Sequence, residues 1–252
     1  MKKILLLLCI FSSLFSLELP LENTAYLLEK GQKEIGICHP LRLGKTNDKE
    51  FSIHPILAFV IPNFKMKGKL YSSKNTDNSY FLKLTYPTPL LKMVQKKGIG
   101  GLIAEDPKFE KIPHILVSEI GTLTSKKVKD KYFMTFSGSL AFSVGLGAVD
   151  PRITIDLPYF YPRMNLYNAD YSLSTGLHFT GPIWKNIGFD FGGKLNYTLG
   201  TDNNISMEIR DNLFWQFKPN TKLIIGYKLF YAEYPFGNQW DLIPTLDLKY
   251  SW

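Results

Sequence analysis

The stretch 239–252 limits what this chain can fold into more than any other part of it. Every second residue gives Trp240, Leu242, Pro244, Leu246, Leu248, Tyr250 and Trp252, while the intervening set is Asp241, Ile243, Thr245, Asp247, Lys249 and Ser251. Successive side chains of a strand point to opposite faces, so this stretch has one apolar and one mainly polar face. The same period returns over 132–144, 171–180, 187–199, 205–217 and 223–231. In 187–199 the apolar set Ile187, Phe189, Phe191, Leu195 and Tyr197 opposes Gly188, Asp190, Gly192, Lys194 and Asn196. A strand buried in a soluble core would rarely hide Asp, Lys and Asn in succession. These stretches are also long enough to cross a bilayer while tilted, which takes about 9–11 residues.

Apolar residues at every second place back from a terminal Trp resemble the closing strand of bacterial outer-membrane β-barrels, with Leu246, Leu248, Tyr250 and Trp252 as the assembly signal. The resemblance implies an all-β fold: a closed, antiparallel up-and-down transmembrane barrel. It also implies outer-membrane localisation, with lipids and the barrel-assembly machinery as partners. Counting alternating segments gives about twelve strands, within a range of about 10–14, and even numbers are the rule in single-chain bacterial barrels.

The N-terminus fits export. Met1, Lys2 and Lys3 precede the apolar run 4–11 and then Ser12, Ser13 and Ser16, the order of a signal peptide spanning 1–16. The run is shorter than the roughly 20 residues of a spanning helix. Residues 17–33 lack a period and read as a periplasmic arm, and 34–252 as the barrel. Loss of the leader removes Cys9 and leaves Cys38 alone, so no disulfide framework is expected.

Strands are expected at 34–39, 51–59, 64–71, 80–86, 114–124 and 153–159 in addition to the long ones, with 40–49, 72–78 and 126–131 as loops. Pro55 would cost its strand a ladder hydrogen bond. The junctions near Pro62, Gly147, Pro182 and Pro219 are short and fall at alternate places, as inner turns should. The connection 87–113, with a short amphipathic helix near 90–97, is too long for such a turn. It reads as a rim loop, with a constriction folded into the lumen as the alternative.

The net charge of +8 and the aromatic content of 14 % fit a basic lumen and interface girdles. Export argues against nucleic acid. Inward positions carry Lys65, Lys67, Lys69, His178, Asp190, Lys194, Glu208, Arg210, Lys228, Asp241, Asp247 and Lys249, together with Lys83 and Lys222. Cations outnumber acids in this set, so a water-filled lumen would favour anions. The reading is a passive channel or transporter-like protein for small, anionic solutes. A non-conducting structural barrel is the alternative, because a twelve-strand interior is narrow enough for side chains to fill.

A lipid-modifying enzyme would need a Ser and an Asn or Asp held against His178. Lumen lining is the expected role of His178, and no enzymatic activity is expected. The histidines His39, His54, His114 and His178 lie on different segments without ligand spacing, so neither a metal nor another cofactor is expected. A soluble periplasmic β-sandwich would instead bury the apolar faces against each other.

Overall fold

The computed structural model describes residues 17–19, 22–94, 112–129, 131–147, 166, 169, 171–200, 204–234 and 237–252. Twelve strands close into an antiparallel barrel in which sequence neighbours pair throughout and β1 closes on β12. Three are short: β1 (Lys33–Gly36), β2 (Leu41–Thr46) and β3 (Lys49–Ile53). Two are intermediate, β4 (Asn63–Ser72) and β5 (Thr76–Thr85). The long ones are β6 (Ile115–Lys129), β7 (Tyr132–Gly145), β8 (Tyr171–Trp184), β9 (Ile187–Leu199), β10 (Ile205–Lys218), β11 (Thr221–Tyr234) and β12 (Gly237–Ser251). Helices α1 (Pro55–Ala58) and α2 (Thr88–Val94) lie in connections. No helix among the described residues is long and apolar enough to cross a membrane.

The apolar faces point outward. Phe136, Leu173, Leu177, Leu195, Leu213 and Leu246 are exposed, whereas Thr135, Ser172, Asn212 and Asp247, one residue away from members of that set, are buried. A sandwich would hide the first set and show the second. The apolar sides of this sheet never meet each other, because the sheet closes on itself.

Several expected strands need correcting. The stretch 40–49 is a hairpin rather than a loop: β2 and β3 pair from Leu41↔Ile53 to Thr46↔Lys49 around a two-residue turn at Asn47-Asp48. The stretch 51–59 does not continue as a strand, since Pro55 opens α1 with His54 as its N-cap; a ring nitrogen without N–H is tolerated at the first helical position. The basic stretch 126–131 is strand as far as Lys129, and 72–78 contributes its last residues to β5. β8 runs through Gly181-Pro182 and turns at Lys185-Asn186, with Lys185 at φ 41°. The strand expected at 153–159 lies outside the described residues, and β7 pairs directly with β8.

These corrections move the turns. Both termini, with the short turns after Thr46, Ser72, Lys129, Trp184 and Lys218, lie at one end of the barrel. The junctions near Pro62 and Gly147 and the 87–113 connection lie at the opposite end; 95–111, within that connection, is outside the described residues.

Candidate functional site

The interior of the barrel divides into two parts. The end holding the termini is occupied by the N-terminal segment, which sequence reasoning placed outside the barrel as an arm. Its path touches strand after strand. Glu18 N–H donates to Gln216 Oε1 (2.8 Å), and its carboxylate pairs with Lys222 (3.3 Å). Ala25 N–H donates to Ser125 Oγ (2.7 Å), and Ala25 packs with Phe81 and Leu123. Lys67 Nζ donates to the carbonyls of Thr24 (3.2 Å) and Tyr26 (2.6 Å). Tyr26 meets Phe133 edge-on at 5.1 Å, and Leu28 N–H donates to Glu50 Oε2 (3.0 Å). Thr24, Ala25 and Leu28 are buried. β6 turns Ile115, Val117 and Leu123 inward and buries them, against the expected polarity, and Leu123 is where the segment supplies an apolar partner.

Gly44 shows how tightly the segment fits. A Cβ there would stand 1.9 Å from the Glu29 carbonyl oxygen, while Gly31 N–H donates to Gly44 O and Gly44 N–H to Gln32 O.

Beneath the segment lies an ionic cluster. Arg42, 1 % exposed, donates through Nη1 to Glu34 (2.5 Å) and through Nη2 to Glu50 (2.8 Å). Lys249 pairs with Glu34 (2.5 Å) and Lys67 with Glu50 (3.4 Å). Charges this deep persist only when paired and hydrogen-bonded. A loop reading of 40–49 hides the inward Arg42, and without Arg42 nothing in the sequence marks its partners Glu34 and Glu50. The Asn47-Asp48 pair between two short alternating runs is the signal that would have found the hairpin.

Asp247 closes the seam between β1 and β12. The two strands pair only from Glu34↔Ser251 to Gly36↔Lys249. Where they part, one carboxylate accepts from the amides of Ile37 (2.7 Å), Cys38 (3.0 Å) and Leu248 (2.8 Å) and meets His39 Nδ1. Beyond it no described strand pairs with the outer edge of β12. Lys33 and Trp252 exchange both backbone bonds, so alternation points the backbone of Pro244 at that open edge, where a missing N–H costs no ladder bond.

Toward the opposite end the interior holds a cavity of about 430 Å³. Lys65, Lys83, Lys194, Arg210 and Lys228 line it together with Glu22, Glu119, Glu208 and Asp247. Several of these charges neutralise each other: Lys194 with Glu119 (3.3 Å), Lys228 with Glu208 (2.8 Å), and Arg210 with Asp190 (3.5 Å). Asn196 accepts from Ser174 (2.7 Å) and donates to Ser206 (3.2 Å), extending the polar lining around β8–β10. Glu22, in the N-terminal segment, is half-buried, which works against its ionisation. His39, then Lys249, Arg210 and Arg42, more than offset burial and hold its carboxyl below the usual range.

The residues expected in a single lumen therefore separate. Lys65, Asp247, Lys194, Glu208, Arg210 and Lys228 line the cavity. Lys67 and Lys249 belong to the cluster under the segment, and Asp190 is buried behind Arg210. Lys69 and Asp241 share the inward register but sit exposed at opposite rims. His178 lies against Gly192, where a Cβ would approach its ring to 2.0 Å, and its Nδ1 has no hydrogen-bond partner among the described residues. Among the described residues no serine, asparagine or aspartate is hydrogen-bonded to His178 Nδ1. Leu246, Leu248, Tyr250 and Trp252 all face outward and exposed on β12.

No protein-family model matches the chain, and no curated protein matches it significantly. Solved structures with similar architecture include the outer-membrane channel DcaP of Acinetobacter baumannii, at 12 % identity over 84 % of this chain and 62 % of that one, TM-score 0.43. A bacterial polysaccharide outer-membrane secretin matches at 7 % identity over 88 % and 69 %, TM-score 0.46. The KdgM porin in complex with disordered oligogalacturonate matches at 10 % identity over 88 % and 96 %, TM-score 0.43. The chain thus spans less than two thirds of the DcaP channel, and at these scores nothing about solute or activity follows from the likeness.

Proposed function

We propose that the protein is an outer-membrane β-barrel that passes small solutes with a preference for anions, and that its N-terminal segment is the barrier at the end carrying the termini. The outward apolar face supports a lipid setting, because a closed barrel satisfies its backbone within the sheet. Short turns at the termini end and long connections at the other match a periplasmic end and an outer end. In this reading β12 presents Leu246, Leu248, Tyr250 and Trp252 to the barrel-assembly machinery and to lipid.

The observation that carries the proposal is the nature of the interior. Above the ionic cluster there is a charged cavity of about 430 Å³ rather than packed apolar side chains, and what closes it below is a segment of chain held to the wall by hydrogen bonds, an ion pair and the packing of Ala25 and Tyr26. The anion preference rests on Lys65 and Lys83, which line the cavity outside the ion pairs of the described residues. A structural barrel would be filled throughout.

Planar-bilayer recordings test this. Wild type should pass small currents whose reversal potential under a salt gradient favours anions. Gly44→Val, which drives a side chain into the Glu29 carbonyl, should raise conductance by loosening the segment. Absence of current from both proteins would leave the non-conducting barrel as the correct reading.

A further inference from the structure

Lys65 and Lys83 are directly opposed across β4 and β5, and both line the cavity. Like charges in that position repel, and the pairing is destabilising unless something between them compensates. Among the described residues neither lysine forms an ion pair. Lys65 Nζ stands 5.0 Å from the Phe81 ring, and Lys83 has Glu119 as its neighbour on β6. Glu119, however, is engaged by Ser139 (2.7 Å) and Lys194 (3.3 Å).

The surrounding positions add donors. Ser52 is opposite Lys65 across β3 and β4, and Thr85 is opposite Asn63 one step along the same face. His54, whose amide donates to Asn63 Oδ1 (2.8 Å), is 8 % exposed. Its Nδ1 accepts from Leu57 N–H (3.4 Å), which leaves the proton on Nε2, and Nε2 has no partner among the described residues. An orphaned buried donor is costly. Lys65, Lys83, Ser52, His54 and Thr85 all line this cavity. Directly opposed side chains in a sheet stand about 4.5–5.5 Å apart, and next neighbours on one face about 7 Å, so Lys65, Lys83, Ser52 and Thr85 border one part of the cavity wall, with His54 beside Asn63 at its edge.

We propose that Lys65, Lys83 and His54, with the hydroxyls of Ser52 and Thr85, form a binding site for a single carboxylate or phosphate group of a small solute. The site rests on the lumen being the solute path, as proposed above, and it identifies the chemistry that path selects. An ammonium pair with an N–H beside it supplies mainly donors, the neighbouring Glu119 being already held by Ser139 and Lys194, which suits an oxyanion better than a cation or a neutral solute. Between the two anion types, charge decides: a phosphate dianion neutralises both lysines, whereas one carboxylate leaves a net positive charge for the solute's second group.

The experiment is isothermal titration calorimetry of the full-length barrel in detergent, with inorganic phosphate in one arm and propionate in the other. Binding in either arm supports the site, and the arm that binds tighter identifies the anion. Lys65→Gln and Lys83→Gln should each weaken that binding about tenfold, the scale of one charge-assisted hydrogen bond. Lys83→Arg should retain most of it, and Lys131→Gln in an exposed turn should leave it unchanged. Heat-modifiable gel mobility verifies that each variant is folded. Absence of heat from both anions, or binding that Lys65→Gln and Lys83→Gln leave unaltered, overturns the site. Binding to a barrel that carries no current would remove the channel and leave the site standing.

Discussion

The sector from β6 to β12 and the sector from β1 to β3 close the same barrel by different means. Strands of 13 to 15 residues make up the first; the second has strands of 4, 6 and 5. Long strands hold their register mainly by ladder bonds, which leaves many of their inward residues available to line a cavity. Short strands cannot. There, side chain–backbone bonds from Glu50 within the sector and from Asp247 and Lys67 on the strands that flank it supplement the short ladder, and the inner volume fills with the N-terminal segment and the ion pairs of Arg42. Charged interior residues of the long strands such as Lys194 and Lys228 thus line the cavity, whereas those of the short sector, joined by Lys222 and Lys249 from β11 and β12, act as mortar.

The largest effect expected from this contrast is at Arg42. Arg42→Met leaves Glu34 and Glu50 buried with less compensating charge, and losing one partner of a buried network costs about 3–5 kcal/mol. Arg210→Met, in the long-stranded sector, removes a side chain 23 % exposed that stands 3.5 Å from its carboxylate, and should cost clearly less. Thermal loss of heat-modifiable mobility would rank the two; equal losses would erase the distinction between the sectors.

Next in size is the outward face. Leu140, 37 % exposed near the middle of β7, should meet lipid. Leu140→Arg then costs about 2–4 kcal/mol, the figure for a cation at the bilayer midplane. On a water-facing surface the same change would stay within about 0.5 kcal/mol. Folding yield into lipid vesicles, wild type against variant, decides between the two solvents for these side chains.

The same contrast explains what was readable in the sequence. Alternation is a length-dependent signal, so β7 and β9 to β12 could be read from their residues, and their inward faces with them. A strand of 6 residues such as β2 gives too few repeats, and Gly44 interrupts it where the chain must admit the Glu29 carbonyl. Overlooking that one strand inverted the expected end of the junctions near Pro62 and Gly147, because each strand crossing reverses direction. The 153–159 strand in the expected count then restored the parity, so the turns after β8 and β10 fell at the proper end. The site was legible only in part for a related reason. Lys65 and Lys83 show their face through alternation, but His54 is placed by a helix cap, and the N-terminal segment by contacts with residues far along the chain.

The smallest effect, and the one that separates mortar from lining most finely, concerns Glu22, which belongs to the segment yet borders the cavity. Its carboxyl is held below the usual range chiefly because His39 and the other cations outweigh burial. A depressed folded-state value stabilises the seated segment at any pH above the unfolded value, about 4.3, and that stabilisation is lost as pH falls through the folded one. Conductance of wild type should therefore rise as pH falls below about 4. Glu22→Gln has no such charge to lose. It should start with a looser segment at neutral pH and show a flatter acid response, the difference between the two curves being the share of Glu22 itself, since Glu34 and Glu50 remain in both. Superimposable curves would mean that Glu22 lines the cavity without holding the segment, and that the boundary between the two sectors lies deeper, at the Arg42 cluster.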